Sequence, residues 1–232
     1  MRLLILFIIS INYLASNPAD AQTPFEIQTL KAYNDINPSP SSAIVIGEIM
    51  KSAIEVQKNK GGCLPSSTVV DTVTPTTAAR FVTEGVGARQ IRNAWTVIVR
   101  HPNCGSDVVR YAVVKQFGDG YYAFRINRGQ SNANESLIGD TLPKAALVAA
   151  LILKRAGTDC RTSDVMLGVT RVTEESADLG PDFYGARYKG SWREIWPIMT
   201  CGRTVEISVR FEADGEGGAY TNVKEDESKL LP

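Results

Sequence analysis

Over residues 204–211 polar and apolar side chains alternate strictly. Val205, Ile207, Val209 and Phe211 point one way, and Thr204, Glu206, Ser208 and Arg210 the other. Successive side chains of a strand lie on opposite faces, so this segment reads as a strand with one buried and one wet face. Asp214-Gly215 begins a turn, and residues 219–223 return. Runs rich in β-branched and aromatic residues predict further strands over 68–74, 96–100, 107–117 and 121–127, and over 165–172 and 185–196. Gly118-Asp119-Gly120 between two of these is a hairpin signal. The run 107–117 differs from 204–211 because it is apolar on both faces: Val109, Tyr111 and Val113 alternate with Val108, Ala112 and Val114. Such a strand needs cover on both sides, from the second half of the chain, from residues 23–40 or from a second molecule.

Two segments carry helical spacing instead. In the first, Ser41 or Ser42 serves as cap and Ile44, Ile46, Ile49, Met50, Ala53, Ile54 and Val56 recur near a 3.6-residue period before Gly61-Gly62. In the second, residues 142–157, Pro143 stands early and Gly157 ends the helix. Residues 23–42, with Pro38 and Pro40, read as loop. Residues 127–136 read as a polar linker, and 225–232 as a disordered tail.

The order helix, then strands, occurs twice, and a second pattern coincides with it. Trp95 is followed nine positions later by Cys104-Gly105, and Trp192 by Cys201-Gly202. Cys63 and Cys104 are 41 positions apart, as are Cys160 and Cys201, and the two sets are offset by 97. On that diagonal Ile98/Ile195, Val108/Val205, Gly118/Gly215 and Gly120/Gly217 also match. Trp and Cys occur only three and four times in the chain, so their coincidence carries the weight. The expectation is an α+β fold of two tandem repeats, each one helix packed on an antiparallel sheet of about four strands. Unit one would span 22–130 and unit two 131–224. Each unit would keep its own disulfide, Cys63 with Cys104 and Cys160 with Cys201. A swapped pairing, Cys63 with Cys201 and Cys104 with Cys160, also satisfies the symmetry.

The first 21 residues add a compartment. Arg2, the apolar run 3–15 and Ala19-Asp20-Ala21 form a signal-peptide pattern, cut after Ala21. The run is too short to span a bilayer, which takes about 20 apolar residues. A secreted or periplasmic location follows, and an even cysteine count there reads as disulfides. Removing Arg2 and Asp20 takes 25 basic and 25 acidic residues to 24 of each. A balanced chain gives no electrostatic case for nucleic acid as partner. The segment 145–153, AALVAALIL, reads as a buried helix, so no membrane span is expected after cleavage.

Catalytic signals are sparse. Any Ser-His-Asp set must use the single histidine, His101, which stands before Pro102 in an expected exposed turn. No cofactor or metal motif occurs; residues 178–182 offer two aspartates without an EF-hand pattern. Glu174, Glu175, Asp178, Asp182 and Glu194 are the carboxylates available to a hydrolase. The aromatic pattern is more suggestive. A continuous strand would put Tyr184, Tyr188, Trp192 and Trp196 on one face, able to bind a protein or small molecule, or else to form core against the helix. The sequence therefore favours a non-enzymatic binding or inhibitor-like module. A hydrolase with loop carboxylates near the aromatic face, or an envelope-associated structural protein, are the alternatives.

Overall fold

The computed structural model describes residues 24–60, 63–105, 107–118, 120–158 and 165–232. The expected signal peptide, 1–21, and Cys160 lie outside the described residues. Among the described residues there are four α-helices: α1 (Pro24–Ile36), α2 (Ser42–Lys60), α3 (Arg80–Gly87) and α4 (Glu135–Arg155). The strands are β1 (Val69–Pro75), β2 (Ile91–Arg100), β3 (Val108–Gln116), β4 (Tyr121–Gly129), β5 (Met166–Leu167), β6 (Val169–Glu175), β7 (Ser191–Thr200), β8 (Arg203–Ala213) and β9 (Ala219–Leu230).

All nine strands join in one mixed sheet, ordered β1-β2-β3-β4-β6-β7-β8-β9, with β5 pairing β7. The chain is α+β as expected, but the two separate four-stranded sheets are not found. Every pairing is antiparallel except β4 with β6, where Arg128 and Gly129 run parallel to Val169 and Thr170. This short junction makes the sheet continuous. Its chemistry is local and polar. Asn127 Nδ2 donates to Thr170 Oγ1 at 2.8 Å, and Gln130 N donates to the Thr170 carbonyl at 2.9 Å. Gly129, at φ +82°, passes so close that a Cβ there would collide with the Thr170 carbonyl oxygen. Only glycine fits both the backbone angle and the gap.

Each half of the sheet receives the helix that precedes it. From α2, Val45, Ile49 and Ala53 are buried at i, i+4 and i+8; Val45 and Ile49 pack with Trp95, Val97, Val99, Val109, Tyr111 and Val113. Ile44 and Ile54, counted in the apolar stripe from sequence, are partly exposed. The alternating face of β8 is fully buried as expected, under Ala145, Ala149 and Leu153 of α4. By length and composition α4 could cross a membrane. Here its inner face lies on β7, β8 and β9, and Leu147 and Leu151 face outward. It starts earlier than the sequence suggested. Asn134 caps it, with Oδ1 accepting from Leu137 N at 2.9 Å, so Pro143 falls inside the helix rather than near its start.

The second face of β3 is covered over Ala112 and Val114 by α3, an element the sequence reading missed. Ala112 and Val114 pack with Ala79, Val82, Ile91 and Ala94. The cover is internal, and α3 is tied to the start of α4 by Phe81 N donating to Ser136 Oγ at 3.0 Å. Residues 24–36, read as loop, form α1, whose Asn34 Nδ2 lies 3.5 Å from Thr77 Oγ1. The expected linker is shorter and ordered, since β4 ends at Gly129 and α4 begins at Glu135. The expected disordered tail is also not found. β9 runs to Leu230, with Lys229 opposite Glu206 and Leu230 opposite Val205.

Cys63 and Cys104 form a disulfide, with Cα atoms 5.5 Å apart, which overturns the swapped pairing. Cys201 is disulfide-bonded too; its expected partner is Cys160. The first bridge ties the end of the α2 segment to the 3-10 turn Pro102–Cys104 before β3. Asn103 reinforces it, donating to the Leu64 carbonyl and accepting from Ser66 N, each at 3.0 Å. Closing this loop restricts the unfolded chain by about 4 kcal/mol in the chain-entropy treatment. A Cys63→Ala/Cys104→Ala protein should therefore lose about 4 kcal/mol, read from urea unfolding midpoints. A loss near zero would mean that the bridge does not constrain the chain.

Candidate functional site

The four aromatic residues expected on one strand face are not brought together. β7 starts only at Ser191, because the preceding segment turns sharply: Tyr184, Gly185 and Gly190 have φ of 50°, 90° and 88°. Trp192 and Trp196 are 2% and 0% exposed and pack on Phe211, with ring centroids 5.0 and 5.9 Å away. They are core against α4, so they present no ring to a ligand. Tyr184 packs edge-on against Phe183 and lines a groove, and Tyr188 borders a separate depression beside Gly217.

Between the two tryptophans, on the same buried face, stands Glu194, 0% exposed. Five donors surround its carboxylate. Oε1 accepts from Trp192 Nε1 at 2.9 Å, Asn132 N at 2.7 Å and Ala133 N at 3.1 Å. Oε2 accepts from Trp196 Nε1 and from Ser131 Oγ, both at 2.8 Å. No cation lies within ion-pair distance among the described residues; the charge is held by neutral N–H and O–H groups. Three donors come from the 131–133 connection, so this acid fastens the link between β4 and α4 onto β7. With its lone pairs engaged and no solvent access, Glu194 is a structural anchor and not a general acid or base.

The other carboxylates are also engaged singly. Glu175 accepts from Asn132 Nδ2 at 2.6 Å, and Glu174 lies 3.4 Å from Arg193. Asp182 accepts from Gly185 N at 2.8 Å. Asp178 is held below the usual carboxylate range by a hydrogen bond to Ser176, the opposite of what a general acid requires. His101, expected in an exposed turn, is 4% exposed. Its Nδ1 lies 3.1 Å from Thr68 Oγ1 and its Nε2 3.4 Å from Tyr111 Oη, and among the described residues no carboxylate orients it as a catalytic base. Burial pushes its pKa down, and Arg125 and Arg128 push it the same way against a backbone hydrogen bond at Ser67.

What the fold does build is a groove of about 950 Å³ between the halves of the sheet. Its floor is the face of β1, β2 and β3 beyond the reach of α3: Thr72, Thr74, Thr96, Ile98, Val108 and Arg110. Gln130, Ser131 and Asn132 form one side, the stretch that Glu194 anchors. Val172 and Glu175 of β6, with Phe183 and Tyr184, complete it. The walls are fixed before any ligand arrives. Ala78 N donates to the Tyr184 carbonyl and Asn134 Nδ2 to the Gly185 carbonyl, each at 2.8 Å. Arg187 Nη2 donates to Asn132 Oδ1 at 3.0 Å. On the floor itself, Thr96 Oγ1 donates to the buried Glu135 Oε1 at 2.8 Å. A concavity of this volume that combines apolar wall from Ile98, Val108, Val172 and Phe183 with placed polar groups has the general form of a small-ligand site.

Sequence reasoning missed Arg110, Thr96, Ser131 and Asn132. One signal was available: Arg110 interrupts the two-faced apolar run VVRYAVV, where a charge has no ordinary reason to be.

Two expectations follow. Glu194→Gln replaces one acceptor oxygen by an NH2 group facing an indole or backbone N–H, so it should destabilise the fold by about 1–3 kcal/mol in urea unfolding followed by tryptophan fluorescence. No loss would mean that the cage contributes nothing. His101 binds protons more weakly folded than unfolded, so its contribution is complete above its ordinary pKa of 6.5 and declines as the pH falls below that toward the depressed folded-state value. Between about pH 7.5 and 5 the wild type should lose more stability than His101→Asn. Equal slopes would refute it. No protein-family model, curated protein or solved structure matches this chain, so its function is read from its own geometry.

Proposed function

We propose that this is an exported, disulfide-stabilised binding protein without a catalytic role, which holds a small molecule or the end of a partner chain in the groove between β1–β3 and β6. The observation that carries this reading is the groove itself: large, lined by apolar side chains together with hydroxyls, amides, two carboxylates and Arg110, and built from segments already pinned to one another. A preorganised wall loses little freedom on binding, which favours affinity. The engaged carboxylates and the isolated His101 argue for binding over hydrolysis.

The disulfides favour an oxidising compartment, secreted or periplasmic, in keeping with the N-terminal sequence pattern. The finer architectural reading, two copies of one helix-plus-four-strand unit, belongs to this proposal. Trp95 and Trp192 each sit in the second long strand after a helix and face that helix, and Cys104 and Cys201 each sit in the turn that follows. A groove at the seam of two fused units would be the new surface that fusion creates.

Thr74 is exposed on β1 at the groove floor, where an aromatic ring suits a strand and fills the space. In an NMR screen of small molecules and short peptides, hits should move the amides of Thr96, Ile98 and 130–132, and Thr74→Trp should abolish those shifts without lowering stability. Hits that map elsewhere, or that survive Thr74→Trp, would defeat the proposal.

A further inference from the structure

We infer that the ligand of this groove carries a carboxylate, and that Arg110 receives it. The inference rests on the groove reading above and adds the chemistry of the ligand.

Arg110 is 8% exposed, more buried than any arginine that the fold pairs with an acid. Arginine at that depth is ordinarily paired, because an isolated buried charge is costly. Among the described residues no carboxylate lies within 4.0 Å of it. Its neighbours in the sheet are treated differently: Arg100 pairs with Asp71 and Arg128 with Asp107.

The guanidinium is only half used. Nη1 donates to the carbonyls of Ser131 and Ala133 at 3.1 and 3.0 Å, which fixes the plane of the group. Nε and Nη2 have no acceptor among the described residues. Neither is sealed in the interior as Arg187 Nε and Arg193 Nε are, and the cavity that Arg110 lines is the groove. Nε and Nη2 form the fork that takes a carboxylate side-on. The fold already uses that fork once: Arg100 holds Asp71 through Nε at 2.9 Å and Nη2 at 2.7 Å. At Arg110 the acid is missing and the groove stands in its place.

The surroundings select among anions. Ile98 pairs with Arg110 between β2 and β3, Val108 precedes it on the same face, and Val172 and Phe183 line the same groove, so apolar surface is available to the body behind the charged end. Thr96 has its hydroxyl committed to Glu135. Glu175 and Asp182 line the same groove. One guanidinium near acids suits a single negative charge and disfavours a phosphate dianion. The ligand is therefore an amphipathic monocarboxylate, either a free acid or the C-terminal end of a peptide.

The test uses the oxidised full-length protein and five probes: octanoate, octanamide, acetyl-Ala-Leu-Val as free acid and as C-terminal amide, and inorganic phosphate. Binding is read from the Arg110 Nε resonance and the amides of Thr96, Ile98 and Ser131. Either acid should bind roughly tenfold tighter than its amide and move the Nε resonance, which the amide leaves in place. Whether octanoate or the peptide acid is preferred names the source of the carboxylate. Arg110→Met should erase the preference. Because Arg110 also holds the 131–133 carbonyls, the wild-type Nε resonance decides if that variant does not fold. Acid and amide binding equally in the groove, or phosphate matching octanoate, would overturn the inference and leave the groove reading standing. No probe reaching the groove would overturn both.

Discussion

A single buried carboxylate holds the two halves of this molecule in register. Glu194 draws donors from two indoles of its own strand and from the 131–133 connection, so the chain leaving β4 is fastened to the core of the second half before α4 begins. Leaving such a charge unsatisfied in the interior would be costly, and the fold answers with neutral donors instead of a cation. The arrangement is directional. It fixes the backbone at Asn132 and Ala133, which fixes the carbonyls that orient Arg110 and the side chain that bridges to Arg187. The groove is thus a consequence of the anchor: remove the anchor, and one wall has no defined position.

The parallel contact of β4 with β6 is the second constraint. Two residue pairs are little to hold a sheet together, and parallel pairing is slightly weaker per residue than antiparallel. The Asn127–Thr170 bond, the close passage of Gly129 and the Glu194 cage lie along the same seam. The seam is polar where the two flanking cores are apolar. That division explains why the open space between the halves persists: its walls are held by directed hydrogen bonds and are not drawn shut by a shared hydrophobic surface.

Much of this was legible in the sequence where one short-range rule sufficed. The alternation of 204–211 gave β8 and its buried face, and Asp214-Gly215 gave its turn. The cysteine spacing pointed to the 63–104 bridge but left a swapped pairing equally symmetric, and the structure decided between them. Where the outcome depended on neighbours distant in sequence, local patterns misled. Residues 219–230 are too charged to read as a strand beyond 223, yet pairing with β8 extends β9 to Leu230. The eight residues of α3 are too few for a periodic signal, and they fold because Ala112 and Val114 need cover. The aromatic face failed for a geometric reason. Period-2 reasoning assumes an extended chain, and Tyr184 and Gly190 are not extended. The candidate site was least legible of all. It consists of residues from β1, β2, β3, β4 and β6 and from two connections, ordinary one by one, and only Arg110 within an apolar run marked the place.

The rims of the sheet bear on how a partner can approach. β1 carries an irregularity between Val70 and Thr72 and ends at Pro75, and β9 shows a register break opposite Glu206–Ser208 and bears Lys224, Glu225, Asp226, Glu227 and Lys229. Kinks, proline and dense charge are the devices by which outer strands resist adding another strand. A chain so guarded along both margins disfavours the addition of further strands at its rims, which leaves the face of its sheet as the surface open to contact.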